Sequence, residues 1–164
     1  MTDFLTGAIL LGILATALMD AFCFTREALF KTPAPNYAPV GRWMIWLAHG
    51  TFFHKNIAQT PKVKGELLFG WLTHYAVGIA YAALLLALFG LEWLRAPTFF
   101  SALIIGIGSL VVPFFIMQPS MGSGIASSKS PDPTAARIRS LILHTLFGVA
   151  LYVAGWMLVW INVG

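Results

Sequence analysis

The sequence has little charge. Only 10% of its 164 residues are Asp, Glu, Lys or Arg, against about 25% in a soluble domain. Apolar residues make up 59% and the mean hydropathy is +0.81. No soluble core of this length could hide so much apolar surface, so a water-soluble domain is excluded. Cysteine is nearly absent as well. Cys23 stands alone, which rules out an internal disulfide and any zinc site built from several cysteines. A lipoprotein processing site is equally unsuited to Leu18-Met19-Asp20-Ala21-Phe22-Cys23, because Asp20 and Phe22 stand where small residues are needed. The first apolar run lacks a basic leader and continues past the length of a signal-peptide core, so it is expected to stay in the mature protein. The net charge of +4 comes from residues between apolar runs. Membrane topology explains that placement, and nucleic acid is not an expected partner.

Long apolar runs are what the chain has in abundance. They cover residues 4–24, 67–89, 99–117 and 138–160, each close to the roughly 20 residues that cross a hydrocarbon core of about 30 Å. Lipid offers the backbone no hydrogen-bond partner, so runs of this length without strand alternation must be helices. The expected fold is an all-α, multi-pass membrane bundle of four transmembrane helices, a single domain over residues 1–164. Pro113 within the third run predicts a kink. Between the first two runs lie Arg26, Lys31, Arg42, Lys55, Lys62 and Lys64. The loop between the last two runs carries Lys129, with Arg137 and Arg139 at the start of the fourth span, and the opposite side has only Arg95. The positive-inside rule then puts both basic loops in the cytoplasm and both termini on the other side. The segment from Val40 to His49 is too short to span, and its mixture of aromatic, aliphatic and basic residues predicts a stretch lying along the inner interface, with Trp43 and Trp46 at headgroup depth.

An internal repeat is visible. Gly7-Ala8-Ile9-Leu10-Leu11-Gly12-Ile13 aligns with Ser101-Ala102-Leu103-Ile104-Ile105-Gly106-Ile107, and Gly70, His74, Gly78 and Ala80 align with Ser140, His144, Gly148 and Ala150. The four spans then read as two helical hairpins of the same orientation, a parallel repeat about an axis along the membrane normal.

Each span carries one polar group toward the same leaflet. His74 and His144 lie roughly 10 Å below the cytoplasmic boundary at 1.5 Å per residue, while Asp20 and Gln118 lie near the ends of the first and third runs. Gly70, His74, Gly78 and Ala82 recur every four residues, as do Gly12, Thr16 and Asp20, and Ser140, His144 and Gly148. These stripes predict close helix approach, with the polar groups turned inward. Three chemistries fit Asp20, His74, His144 and Gln118. They could fasten helices through hydrogen bonds. They could relay protons or hold a polar substrate, as intramembrane ionisable groups usually do. The two histidines could instead ligate a haem iron from both faces, with the glycines making room. Met117, Met121 and Cys23 raise a soft metal such as copper, although methionine is also common filler in apolar helices, and no metal is assigned. His49 and His54, in the first loop, read as solvated. The glycine- and serine-rich loop from Gln118 to Pro131 has the backbone donors of an anion-holding nest but no phosphate-loop spacing. With Arg42, Lys129, Arg137 and Arg139 it predicts contact with an anion or a lipid headgroup.

Tyr37-Ala38-Pro39-Val40-Gly41-Arg42-Trp43, Gly65-Glu66 followed by Gly70-Trp71 and His74-Tyr75, and Met117-Gln118-Pro119-Ser120-Met121-Gly122 with Gly124-Ile125-Ala126 carry a resemblance. Together they resemble a bacterial family of uncharacterised four-helix inner-membrane proteins, the domain-of-unknown-function family numbered twenty-nine thirty-eight, over nearly the whole chain. The resemblance implies a multi-pass protein of the bacterial inner membrane and no assigned reaction. From the residues themselves, the expected function is a small carrier or membrane-embedded binding protein rather than an enzyme. A bis-histidine redox protein and a ligand-free structural subunit are the alternatives. The bilayer is the expected partner, and a homo-oligomer or a membrane partner is compatible with the sequence.

Overall fold

The computed structural model describes residues 3–161, all of whose regular elements are helical. In chain order they are α1 (Phe4–Phe30), α2 (Ala38–Ala48), α3 (Glu66–Phe89), a 3-10 turn (Leu91–Leu94), α4 (Phe99–Gly108), a π-helical turn (Pro113–Met117), α5 (Gln118–Ser120), a second 3-10 turn (Ile125–Ser127) and α6 (Pro133–Trp160). Four helical stretches are long and apolar enough to cross a bilayer: α1, α3, the segment Phe99–Ser120 and α6.

Local chemistry sets the ends. Asp3 caps α1 by accepting from the Thr6 N–H at 2.8 Å, which satisfies one of the orphan donors of the first turn. Lys31 ends α1 in a left-handed conformation, its N–H donating to the Glu27 carbonyl. Asp132 accepts from the Ala135 N–H at 2.9 Å just before Pro133 opens α6, and proline suits that position because its missing N–H would be unpaired there in any case. The third span is irregular beside Pro113. Ser109 and Leu110 form a turn, Val111 and Val112 are again helical, and the π-helical turn follows, which Gln118 closes by donating its N–H to the Pro113 carbonyl, so that the helical segment runs on to Ser120.

The chain divides into two compact units: residues 1–35, 75–108 and 143–164 form the first, and residues 36–74 and 109–142 the second. In the first unit, Leu11, Ala15, Leu85, Ala102, Leu151 and Ala154 are fully buried in one apolar core. Glycines bring its helices together in pairs. A Cβ on Gly12 would strike the Ile79 backbone, and one on Gly78 would strike Thr16. A Cβ on Gly106 would lie 2.5 Å from the Gly148 Cα. Trp93, on the first 3-10 turn, is buried against Gly155 and donates its indole N–H to Ser101 Oγ at 2.5 Å.

The second unit has its own small core of Trp43, Ile57 and Met121, with Met44, Phe52 and Met117 packed on it. Here α2 meets the start of α3 across glycines on both sides, since a Cβ on Gly41 or Gly70 would strike the opposing backbone at Glu66 or Tyr37. Two backbone bonds tie the loops together, His54 N–H to the Ser120 carbonyl at 2.7 Å and Ile57 N–H to the Met121 carbonyl at 2.9 Å.

Candidate functional site

In the first unit, the stripe Gly12, Thr16 and Asp20 faces α3. Thr16 is fully buried and Asp20 is 6% exposed. The Tyr75 hydroxyl hydrogen-bonds the Asp20 carboxylate, and Tyr75 shares a helix face with Gly78 three residues on, where the chains come closest. His144 lies one turn before Gly148 on α6. Because Gly106 lets α4 and α6 touch, the His144 ring reaches and hydrogen-bonds the Gly106 carbonyl. Asp20 and His144 therefore each have a partner inside their own unit, whereas the Thr16 hydroxyl is buried without a hydrogen-bond partner.

In the second unit, His74 stacks on Tyr37 with ring centroids 4.1 Å apart, and the Trp71 ring stands edge-on to Tyr37 at 4.8 Å. This aromatic group exists because Gly70 admits the Tyr37 backbone against α3. Gln118 stands at the end of the π-helical turn, and its side-chain oxygen is buried without a hydrogen-bond partner. Tyr75 and Tyr37 are the contributors that sequence reading missed. Their spacing from Gly78 and their place beside the α2 start were the available signals.

The basic residues have unequal surroundings. Arg42, expected to face headgroups, is 5% exposed. Its Nε and Nη2 donate to the two Glu66 carboxylate oxygens at 2.8 and 2.9 Å, and Nη1 donates to the Ile57 and Thr60 carbonyls at 2.8 and 3.1 Å. Glu66 also accepts from the Val63 N–H at 3.0 Å. Trp43, expected at headgroup depth, is 8% exposed and donates its indole N–H to the Phe52 carbonyl. Arg137 is exposed, its Nε donating to the Ala126 carbonyl at 2.8 Å, and Lys129 and Arg139 are exposed. His49 is exposed, as expected, whereas His54 is only partly so and its Nε2 is buried without a partner. Met117 and Met121 serve the apolar core of the second unit. Among the described residues, no group of three or more His, Cys, Asp or Glu side chains is placed to hold a metal ion.

Long apolar helices packed closely through glycines define a multi-pass membrane protein. The chain belongs to the family described as Protein of unknown function (DUF2938), whose model matches residues 9–158. No curated protein and no solved structure matches it.

Proposed function

We propose that this membrane protein is a small carrier or membrane-embedded binding protein rather than an enzyme, with Asp20 as its central titratable group. The reading rests on one observation: a carboxyl 6% exposed on a membrane span, hydrogen-bonded by Tyr75. A charge at membrane depth costs about 2.5–3.5 kcal/mol on insertion scales, and residues that bear this cost commonly mark proton or substrate paths. His144 is a second group in the same unit that can hold or pass a proton. The π-helical turn in the third span adds support, because such local irregularities in helices are frequent at functional sites. We place the protein in the bacterial inner membrane with both termini away from the cytoplasm, on the distribution of basic residues. The two hairpins are a parallel repeat. Gly12 against Gly78 and Gly106 against Gly148 support this, since they are corresponding positions of the internal alignment.

A second reading, a helix fastener with no ligand, is favoured by the bonds that Asp20 and His144 already make within their unit. Proton flux separates the two. Protein reconstituted in vesicles with a trapped pH-sensitive dye is given a potassium diffusion potential. Under the carrier reading the wild type conducts protons above protein-free vesicles and Asp20→Asn does not, while eluting as the same folded species. Wild-type vesicles as tight as empty ones would sink the proton-relay form and leave the fastener.

A further inference from the structure

We propose that the loop from Gly122 to Ser130, with Arg137, holds the phosphate group of an anionic lipid headgroup. The site lies wholly within the second unit and does not depend on the carrier reading.

The backbone supplies the first argument. Gly124, Ile125 and Ala126 present successive N–H groups that no acceptor among the described residues takes, while the neighbouring donors are used: Ser123 N–H to the Gln118 carbonyl, Ser128 N–H to the Ile125 carbonyl and Lys129 N–H to the Ser123 carbonyl. The used donors tie the loop to itself and leave the three others outside those bonds. The conformation is costly to keep. Gly122 and Gly124 have φ of 90° and 73°, and Ala126 and Ser127, which carry side chains, have φ of 47° and 57°. Two adjacent non-glycine residues in the left-handed region are unfavourable and persist only when their surroundings enforce them. Successive backbone donors in such turns form concavities that bind anions.

Charge supplies the second argument. Arg137 donates Nε to the Ala126 carbonyl at 2.8 Å, which fixes its guanidinium at the loop while both Nη groups have no partner among the described residues. The Lys129 ammonium also has none. Asp132 is the only acid between Gln118 and Ile142, and its carboxylate is engaged as the cap of α6. Two cations and three amide donors thus belong to one loop and the adjoining part of α6, a segment whose one carboxylate is already engaged, and such a set matches phosphate oxygens. Arg42 is excluded because Glu66 already occupies it, and Arg139, two residues beyond Arg137, points to another face of α6. The choice of lipid over a soluble phosphate comes from Ile125, an apolar side chain 57% exposed at the tip of the loop. Such a residue suits insertion beside a headgroup and gains nothing in water.

The test uses the full chain in mild detergent, with retained lipid counted by native mass spectrometry. Phosphatidylglycerol and phosphatidylcholine are offered in equal amounts, and inorganic phosphate is offered separately. The wild type is expected to prefer phosphatidylglycerol. Lys129→Gln, which breaks no side-chain hydrogen bond among the described residues, should lower that preference about fivefold, and Lys129→Gln with Arg137→Gln about 25-fold. Wild-type binding of inorganic phosphate that is lost in the double variant would support the same phosphate chemistry with a soluble source. Equal retention of both lipids by wild type and variants, with no phosphate bound, would overturn the proposal.

Discussion

Replacing Glu66 by alanine should destabilise the protein by about 3 kcal/mol, and the structure supplies the terms. The Arg42 and Glu66 side chains are 6% and 14% exposed, and they meet through two short bonds of 2.8 and 2.9 Å. Removing one partner of a buried ion pair costs about 3–5 kcal/mol, because the other charge stays buried and uncompensated. The lower end applies here. Arg42 would keep the Ile57 and Thr60 carbonyls, which offset part of the loss, although the Val63 N–H would lose its acceptor. At about 2–4 °C per kcal/mol for a chain of this size, thermal unfolding in detergent should fall by roughly 6–12 °C. Glu66→Gln keeps the shape and one acceptor and should cost about half as much. A double-mutant cycle isolates the coupling. Arg42→Met with Glu66→Met should recover most of the loss, since apolar replacement of a buried pair is often neutral. The reasoning fails if Glu66→Ala stays within about 1 kcal/mol of wild type, the value of a solvent-exposed pair.

Other outcomes follow from the same contacts. Gly106→Ala should lose about 1–3 kcal/mol, as overpacking does, because its Cβ would press on the Gly148 backbone, whereas Gly108→Ala meets nothing within 4 Å and should be neutral or gain up to about 1 kcal/mol of helix propensity. Thermal shifts of the two variants check this, and equal shifts would refute it. In a Cys23→Ser background, a cysteine at Glu92 should react with an impermeant maleimide added outside intact cells and one at Lys129 should not; the reverse pattern inverts the topology. Protein purified in mild detergent should show no Soret band. A band lost in both His74→Ala and His144→Ala would assign a bis-histidine haem instead.

Hydropathy marked the four spans but not the helices that carry them. The first apolar run ends at residue 24, while α1 continues to Phe30 through Thr25, Arg26 and Glu27. Apolarity records depth in lipid, and a helix stops where its capping chemistry stops it, here at the left-handed Lys31. The start of α6 at Pro133 was legible in Asp132-Pro133, a cap followed by the residue favoured in the first turn, yet the fourth apolar run begins only at residue 138. Pro113 forecast a kink, and the structure resolves it as a turn at Ser109 and Leu110 followed by a π-helical turn. The missing proline N–H says that a helix is disturbed and does not say how the disturbed backbone is paired again.

The small-residue stripes were the most informative feature for the site, because each glycine states that something comes close and the four-residue spacing states on which face. Gly12, Gly78, Gly106 and Gly148 all meet an opposing backbone or Thr16. The partners of polar groups were less legible. An aromatic well inside an apolar run reads as packing, so Tyr75 gave no sign that it bonds Asp20 across helices. Arg42 shows the same gap with larger energies. Loop composition and the positive-inside rule treat every arginine between spans alike, yet this one finds a carboxylate 24 residues away. Whether a basic residue meets a headgroup or a buried glutamate is decided by which backbones approach, and in the second unit Gly41 and Gly70 bring α2 onto the first turn of α3 beside Glu66. The glycines were visible in the sequence. Pairing them across the loop would have moved Arg42 from the membrane surface to the ion pair.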